Sequence, residues 1–433
     1  MTKHRNSHAR RLAALVGATA LTMTACGVGS EKSNKDTTTT TGTGAATTTT
    51  VTTTVTTTVP AADTTADSAV ETAPAETTEP RSETTAAATT ERAEDATTAP
   101  AELVDAIDID AAIEASRTEG KLVIYGNPSA DQWTPFLAEF NKVYPWIEVE
   151  TFDLGGAEAF QRYLSEEATG SPTADVIVNT DGAGWLDLVA RGKVLDYVDP
   201  ELADLPTEDA VLAPGVFAMS YDPLIAVFNT LALPLDEQPT SLAELAAMAE
   251  ELDGKIGTVN PTNANAGLGT FGYIDAYGED GWAVLEQLGP HTKAEDGTGS
   301  LLGKLQSGEY VASFFASGSL RALIDNTETG QLLNYRYLAD ATTLPARAVG
   351  VTTAAASPNA AKVFVDYVLS QQGQQASCLG GFTPYRDGVD CPTGLPAIEE
   401  AVGADNVILV HYPADLAEQQ ATILARWNTA FGR

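Results

Sequence analysis

The feature that most restricts the fold is an alternation of short apolar runs and helical segments after residue 118. The apolar runs, which predict β-strands, cover residues 122–125, 147–152, 174–179, 224–228, 255–259, 310–315 and 348–352. Between them, residues 133–143, 157–168, 241–252 and 360–369 repeat apolar side chains with the period of an α-helix. This alternation predicts an α/β fold with largely parallel strands and helices on the faces of the sheet.

The first 26 residues have the pattern of an export signal. Lysine and arginine side chains precede an apolar run at 12–21, which is too short to span a bilayer as a mature helix. The closing Met-Thr-Ala-Cys resembles a bacterial lipobox, although Met23 stands where leucine is usual. We expect lipidation of Cys26 and attachment to the outer face of the cell membrane, with plain secretion as the alternative.

Residues 27–102 predict a linker. Threonine occupies 16 of the 22 positions from Thr37 to Thr58, and few large apolar side chains follow before residue 100. Such a segment buries too little surface to offset the entropy of ordering it, so we expect a disordered stalk open to glycosylation. The remaining residues, 103–433, are numerous enough to form two lobes with a substantial core.

The formal net charge is −35, and most of it lies after residue 100. A field of this sign repels nucleic acid and anionic lipid surfaces, so no nucleic-acid partner is expected. A solubilising acidic surface and a role in collecting cations both remain open.

Two cysteines, Cys378 and Cys391, follow the export signal. An exported protein meets oxidising conditions, which favours a disulfide, with two free buried thiols as the alternative. After the signal the chain holds only His291 and His411 and no Cys-x-x-Cys motif, so a zinc-type metal site is not expected.

Three polar bends share one design, at residues 126–129, 179–184 and 260–267. Each leaves a predicted strand, presents hydroxyl or amide side chains together with glycine or proline, and leads into a predicted helix. Ligands of α/β sheets bind beyond the carboxyl ends of strands, near helix N-termini. Each bend alone is an ordinary turn or helix cap, but the three together predict a polar cleft.

A series of motifs in fixed order extends this pattern over residues 119–433. They are KLVIYG at 121–126, YPWIEV at 144–149, ADVIV at 174–178, YDPLIAVFNT at 221–230, LDGKIGTVNPT at 252–262, SGEY at 307–310, AVGVT at 348–352, SPNAAKVFVDYVLSQQG at 357–373 and ILARWN at 423–428. In this order the chain resembles the bacterial extracellular solute-binding proteins of ABC importers, in the branch that includes ferric-iron, thiamine and organophosphonate binders.

The resemblance implies a two-lobed, type II periplasmic-binding-protein-like α/β fold with a two-strand hinge. The hinge strands would lie near 213–223 and 334–348. Lobe one would contain about 118–217 plus 345–433, and lobe two about 223–340.

The resemblance also implies where a ligand would bind. The positions that match the family's binding loops, with one further donor at the end of a strand, are Asn127, Pro128, Ser129, Asp181, Gly182, Thr262, Asn263, Asn265 and Ser317. Hydroxyl and amide groups replace the hydration of a small polar solute without leaving a charge unpaired.

The chain departs from the ferric-iron binders, which coordinate the metal through adjacent tyrosines. The corresponding segment, 310–319, contains no tyrosine pair, so iron coordination by tyrosinate is not expected. Phe314 and Phe315 belong either to the core of a strand or to a stacking platform.

The charge of the ligand remains open. Asp181 would either pair with an amine of the ligand or cap a helix. The arginines that would either reach a cleft or form ion pairs are Arg162, Arg321, Arg336 and Arg347.

The predicted function is capture of a small polar solute and delivery to an ABC permease and its ATPase. The alternative is a sensory subunit that binds the same solute and reports to a membrane receptor. An enzyme is not expected, because the chain has no Gly-x-Ser-x-Gly motif and the glycines of 297–303 have the wrong spacing for a dinucleotide fingerprint. We expect a monomer without a cofactor.

Overall fold

Two β-sheets organise the part of the chain that the structure describes. The structure is a computed structural model that describes residues 106–328 and 330–433. The strands are β1 Leu122–Gly126, β2 Val149–Asp153, β3 Val176–Asn179, β4 Val211–Ala213, β5 Val216–Tyr221, β6 Leu224–Asn229, β7 Ile256–Val259, β8 Thr292–Glu295, β9 Ala312–Ser317, β10 Leu333–Arg336, β11 Thr342–Val351 and β12 Val407–Val410.

Helices fill the connections between the strands. The α-helices are α1 Ile109–Ser116, α2 Ala130–Val143, α3 Gly156–Ala168, α4 Gly182–Ala190, α5 Thr207–Ala210, α6 Leu242–Ala247, α7 Ala264–Leu288, α8 Thr298–Ser307, α9 Leu320–Asn326, α10 Pro358–Leu369, α11 Gln371–Leu379, α12 Leu395–Val402 and α13 Leu416–Ala430. Short 3-10 helices are Pro200–Asp204, Gly289–His291, Gly330–Leu332 and Ala404–Asn406.

The first sheet has the strand order β2-β1-β3-β11-β5-β4, and β12 pairs with the beginning of β11. Helix α2 covers it with three buried aromatic side chains, Trp133, Phe136 and Phe140, at the spacing of one helical face. The rings of Phe136 and Phe140 meet Phe364 and Tyr367 of α10 edge to face at 5.2–6.0 Å, and Trp133 lies tilted against Phe364 at 6.2 Å. These contacts form the aromatic centre of the core of this lobe, which we call lobe one.

The second sheet has the order β10-β6-β9-β7-β8. Its strands β6 and β7 are buried on both faces, and Leu301, Leu305 and Tyr310 pack with Ile225 and Val227 in a separate apolar cluster. We call the part of the chain built around this sheet lobe two.

The sheets are mixed, whereas the sequence predicted largely parallel strands. Strand β1 runs parallel to β2 and β3, and β7 runs parallel to β8 and β9. Strand β11 is antiparallel to β3 and β5, and β6 is antiparallel to β9 and β10. The prediction was wrong in this respect because β5, β6 and β11 pass between the lobes instead of belonging to strand-helix-strand units.

Two adjacent strands connect the lobes. Strand β5 of the first sheet ends at Tyr221, and β6 of the second sheet begins at Leu224. Strand β11 pairs first with β12 and, from Ala346 onward, with β5. The backbone N–H of Asp222 donates to the carbonyl of Pro345 at 2.8 Å, which joins the two crossings. This is the two-lobed architecture that the sequence predicted.

The C-terminal helix α13 packs largely on lobe two. Trp427 and Phe431 stack at 4.0 Å, and the Phe431 ring reaches Phe314 of β9 at 6.5 Å. The carbonyl of Ala430 lies against Gly289, where a Cβ would come within 2.2 Å of it. The lobe boundaries inferred from the sequence stay a prediction.

A disulfide joins Cys378 at the end of α11 to Cys391 before α12, which confirms the predicted bridge. In the described ranges, no helix is long and apolar enough to cross a membrane. Cys26, the export signal and the threonine-rich linker lie outside the described residues.

Candidate functional site

A polar cavity of about 290 Å³ lies where the two lobes and the two crossing strands meet. Lobe one contributes the ends of β1 and β3 and the start of α3, and lobe two contributes the starts of α7 and α8 and the end of β9. The lining residues that bear on its chemistry are Asn127, Asp153, Gly155, Gly156, Thr180, Asp222, Asn263, Asn265, Thr298, Phe315, Ser317, Ser319 and Arg347.

A hydrogen-bonded network centred on Arg347 connects the hinge to lobe one. The Arg347 Nη2 atom lies 2.9 Å from Asp222 Oδ2, and Nη1 donates to the side-chain oxygen of Asn127. The Asn127 amide donates in turn to Thr180 Oγ1 at 2.9 Å. Arg347 is only 4% exposed, and its buried Nε has no partner within the described part of the chain. The guanidinium charge is therefore balanced by Asp222, and the Nε–H group remains as an unused donor.

The start of α7 presents a carboxamide without partners. Asn263 caps this helix, because its Oδ1 accepts from the N–H groups of Asn265 and Ala266 at 3.2 and 3.3 Å. The side chain of Asn265 is different: its Oδ1 and Nδ2 atoms are both buried and neither has a partner in the described residues. Buried polar groups are normally hydrogen-bonded, so an amide left unpaired in a cavity marks a place for a ligand.

A β-bulge shapes the wall of the cavity in lobe two. Ile225 pairs with Ala316 and Val227 with Ser313, so Phe314 and Phe315 together oppose one residue of β6. Across the described ranges, Phe315 is the one non-glycine residue with positive φ, at 53°. Bulges of this kind redirect side chains near functional sites. Phe314 and Phe315 are both buried in the core, and Phe315 also lines the cavity.

The structure brings four of the predicted site residues together around this cavity: Asn127, Asn263, Asn265 and Ser317. Ser129 lines a neighbouring cavity between α2, α9 and the disulfide loop. Pro128 is buried and lines neither of these two cavities. Ligand binding by these residues stays a prediction.

The second bend contributes to packing more than to the cavity. A Cβ at Gly182 would lie 2.8 Å from the side chains of both Leu416 and Tyr412. Asp181 caps α4 by accepting from the Gly184 N–H at 3.0 Å, and burial raises the pKa of its carboxyl group. Asp181 and Thr262 line an adjoining cavity rather than the one around Arg347.

Only one of the four arginines considered from the sequence lines the cavity, namely Arg347. Arg162 pairs with Glu166 on α3 at 2.9 Å. Arg336 donates to the carbonyl of Leu235 at 2.8 Å. Arg321 is buried and donates to the hydroxyls of Tyr337 and Thr383 and to the carbonyl of Thr393, at 2.7, 2.8 and 3.2 Å.

Sequence reasoning missed Asp222, Thr180, Thr298 and the Gly155–Gly156 pair. A signal existed for the ion pair, because a charged residue within an otherwise apolar strand needs a buried partner. Arg347 interrupts the apolar run of β11, and Asp222 lies in the short connection between β5 and β6. Within the described ranges, no group of three or more histidine, cysteine or acidic side chains is arranged to hold a metal ion.

Comparison with known proteins identifies the family. The sequence profile described as "Bacterial extracellular solute-binding protein" matches residues 135–400. The chain belongs to this family. Its members are binding proteins rather than enzymes, in agreement with the sequence prediction. No curated protein sequence matches the chain significantly.

Solved structures with the same fold include other substrate-binding proteins. The substrate-binding protein of an ABC transporter from Agrobacterium tumefaciens is 20% identical, with a TM-score of 0.64 over 74% of this chain and 96% of that one. Iron-bound HitA from Pseudomonas aeruginosa is 18% identical, with a TM-score of 0.59 over 72% and 99%. AfuA from Actinobacillus pleuropneumoniae, with fructose-6-phosphate bound, is 18% identical, with a TM-score of 0.57 over 73% and 99%. These likenesses show that this solute-binding protein shares their fold.

Proposed function

We propose that this solute-binding protein captures a small polar solute in the cavity around Arg347 and delivers it to the permease of an ABC importer. The observation that carries this proposal is the unpaired carboxamide of Asn265, buried in a cavity that both lobes and both crossing strands line. A solute that satisfies this amide while contacting lobe one would favour the arrangement in which the lobes meet.

The lobes touch at the mouth of the cavity, as a closed binding protein requires. A Cβ built on Gly156 at the start of α3 would lie 2.9 Å from the Cβ of Ala264 at the start of α7. Gly156 therefore allows the two helix ends to come together. Rotation about the two crossing strands would separate these ends and admit the solute.

The proposed partners follow from the family and from the N-terminal sequence. The related protein of Agrobacterium tumefaciens belongs to an ABC transporter, which supports a permease and an ATPase as partners here. Lipidation at Cys26 would hold the protein at the membrane. If residues 27–102 form the flexible linker that the sequence predicts, its root-mean-square span would be about 50 Å, enough for a tethered monomer to reach a neighbouring permease.

The test of this proposal is Gly156→Val, which places methyl groups where the lobes meet. We expect the wild-type protein, purified from its own host, to retain a small molecule in native mass spectrometry. We expect the variant to lose that molecule with little change in the free energy of unfolding. A Cβ at this position is too close to Ala264 of the other lobe, at 2.9 Å, but is at ordinary contact distance, 3.5 Å, from Asn179 and Asp181 of its own lobe.

The matched control is Gly303→Val on α8, which lies outside the cavity lining and where a Cβ would have no other atom within 4 Å. This control should keep the molecule. Equal retention by both variants, or X-ray scattering that shows no change in radius of gyration when the released molecule is returned to the wild-type protein, would contradict closure around a solute.

A further inference from the structure

From the chemistry of the cavity we infer that the solute is uncharged and polyhydroxylated, of about the size of a monosaccharide. This inference rests on the proposed function and goes further by naming the class of solute. It resolves the question of charge that the sequence left open.

The first argument is the charge of the lining. Arg347 is the one cation among the residues that line the cavity, and Asp222 already neutralises it at 2.9 Å with both side chains largely buried. Asp153 adds a carboxylate at the exposed rim. An anionic solute would compete with Asp222 for the guanidinium and would also face Asp153. A cationic solute would find no unpaired carboxylate in the buried part of the lining.

The second argument is the state of the helix N-termini, which commonly bind anions. Three of them begin at the cavity, and each has side chains that replace or oppose a bound anion. The Gln132 side chain of α2 accepts from the Ser129 N–H at 3.2 Å, and Glu158 of α3 accepts from the Gly155 N–H at 3.4 Å. Asn263 occupies the first free amides of α7. No N-cap side chain bonds the first-turn N–H groups of α2 or α3, but Asp131 and Glu158 place a negative charge in those turns. These charges oppose the binding of a phosphate or a carboxylate at the two helix ends.

Helix α8 differs, because its N-cap, Gly297, provides no side-chain bond and Thr298 lines the cavity. The two residues before Gly297 are both acidic, namely Glu295 and Asp296. Glu295 is held by Lys304 and Tyr310, but Asp296 is exposed next to the helix start. Its charge opposes the binding of an anion at this helix end.

The third argument is the pattern of unused hydrogen-bonding groups. The Asn265 amide offers one acceptor oxygen and two donor hydrogens, and Arg347 Nε offers one donor. Ser317 and Ser319 add hydroxyls, which are joined at 3.0 Å. Hydroxyl groups of a solute both donate and accept, so they suit this mixed set. The apolar side chains of Phe315, Leu154 and Val259 provide a surface for the C–H face of a ring.

The first experiment measures binding by calorimetry to matched pairs of probes that differ in charge. The neutral members are glucose, fructose, galactose, ribose, myo-inositol and glycerol, and the charged members are their phosphate esters. We expect the tightest probe to be neutral and to bind at least tenfold more tightly than its phosphate ester. A phosphate ester that binds more tightly than its neutral partner, or no binding by any neutral probe, would overturn the inference.

The second experiment replaces the unpaired amide, as Asn265→Leu, with the tightest neutral probe as ligand. We expect at least a tenfold loss of affinity and no loss of thermal stability, because the variant removes a buried amide that lacks a partner in the unbound protein. Asn428→Leu on α13, outside the cavity lining, is the matched control and should keep wild-type affinity. Unchanged affinity in Asn265→Leu would show that the probe binds elsewhere.

Failure of this inference differs from failure of the proposed function. A charged molecule that binds the wild-type protein and is lost from Asn265→Leu would show capture in this cavity with the wrong class of solute. A protein that retains no small molecule from its host and binds neither neutral nor charged probes would count against capture itself.

Discussion

Among single residues, Phe315 has a backbone conformation that L-amino acids other than glycine rarely adopt. Its φ of 53° occurs at the bulge of β9, and its ring packs against Tyr273 at 5.5 Å while lining the cavity. A non-glycine residue in the left-handed region costs about 1–2 kcal/mol. We infer that the surrounding sheet stabilises this conformation, and that the conformation directs the Phe315 ring and the side chain of Ser317 to the cavity.

The backbone at Phe315 predicts an unusual order of stability for two variants. Both Phe315→Ala and Phe315→Gly lose the buried ring, but only glycine avoids the cost of positive φ, so we expect Phe315→Gly to be more stable by about 1 kcal/mol. Urea denaturation measures the difference. At the neighbouring Phe314, whose φ is not positive, we expect alanine to be more stable than glycine by about 0.5–1 kcal/mol. The same order at both positions would contradict the left-handed conformation.

Among the elements, the segment between α11 and α12 supports the junction of the lobes. The disulfide closes this segment over a separation of 13 residues, and within it Thr383 pairs with Tyr221 of β5. Arg321 of α9 donates to Thr383 Oγ1 and to the Thr393 carbonyl. A loop constrained at its ends thus accepts hydrogen bonds from a buried arginine of lobe two, next to the crossing strand β5.

We predict that the double variant Cys378→Ser, Cys391→Ser lowers the free energy of unfolding by about 3 kcal/mol, because the open chain gains entropy when it unfolds. Guanidinium denaturation with and without a reductant measures this. The reductant should destabilise the wild-type protein by a similar amount and leave the variant unchanged. A variant that still responds to the reductant would show that the effect has another cause.

At the scale of the whole molecule, a buried pair of carboxyl groups couples folding to pH. Asp199 is 1% exposed, and burial together with the neighbouring charge of Asp366 raises its pKa to about 8. Burial and the charge of Glu201 raise the pKa of Asp366 to about 6. Arg386, which lies 2.7 Å from Glu201, supplies the nearby positive charge. The Oδ2 atom of Asp199 has no partner among the described residues, and when this carboxyl group is protonated it can donate a hydrogen bond to the Asp366 carboxylate.

These shifts predict that the protein becomes less stable as the pH rises from about 4 to about 8. Both carboxyls have higher pKa values folded than unfolded, so the folded state holds more protons in this window and loses its advantage as they dissociate. The slope is at most about 1.4 kcal/mol per pH unit for each proton. Urea denaturation at pH 5, 6 and 7 measures it.

Asp199→Asn should flatten this pH dependence, because it removes the group with the larger shift. Glu166 and Glu295 have lowered pKa values, so they weaken the fold only below about pH 4.5 and do not offset the trend. A wild-type protein whose stability rises from pH 5 to pH 7 would contradict the buried acid pair.

The sequence anticipated the elements that local periodicity encodes. The strands β1, β3, β7 and β9 and the helices α2, α3 and α10 overlap the predicted segments. The helix α7, which places Asn263 and Asn265 in the cavity, was predicted only as the helix that follows the third bend, without bounds, because its five glycines weaken the helical pattern. The helix is also broken by a non-helical residue, Gly278.

What the sequence determined by itself is the α/β class, the bends that follow the strands and the family. These follow from local periodicity, turn chemistry and an ordered series of short motifs, and each of these signals depends on residues that are close together in the sequence. Only the tertiary structure decided which bends share one cavity, that Asp222 neutralises Arg347 and that the side-chain amide of Asn265 has no hydrogen-bond partner among the described residues. The residues involved are separated by up to 220 positions along the chain, as Asn127 and Arg347 are. Pairing at such distances depends on the path of the crossing strands, which no local pattern specifies.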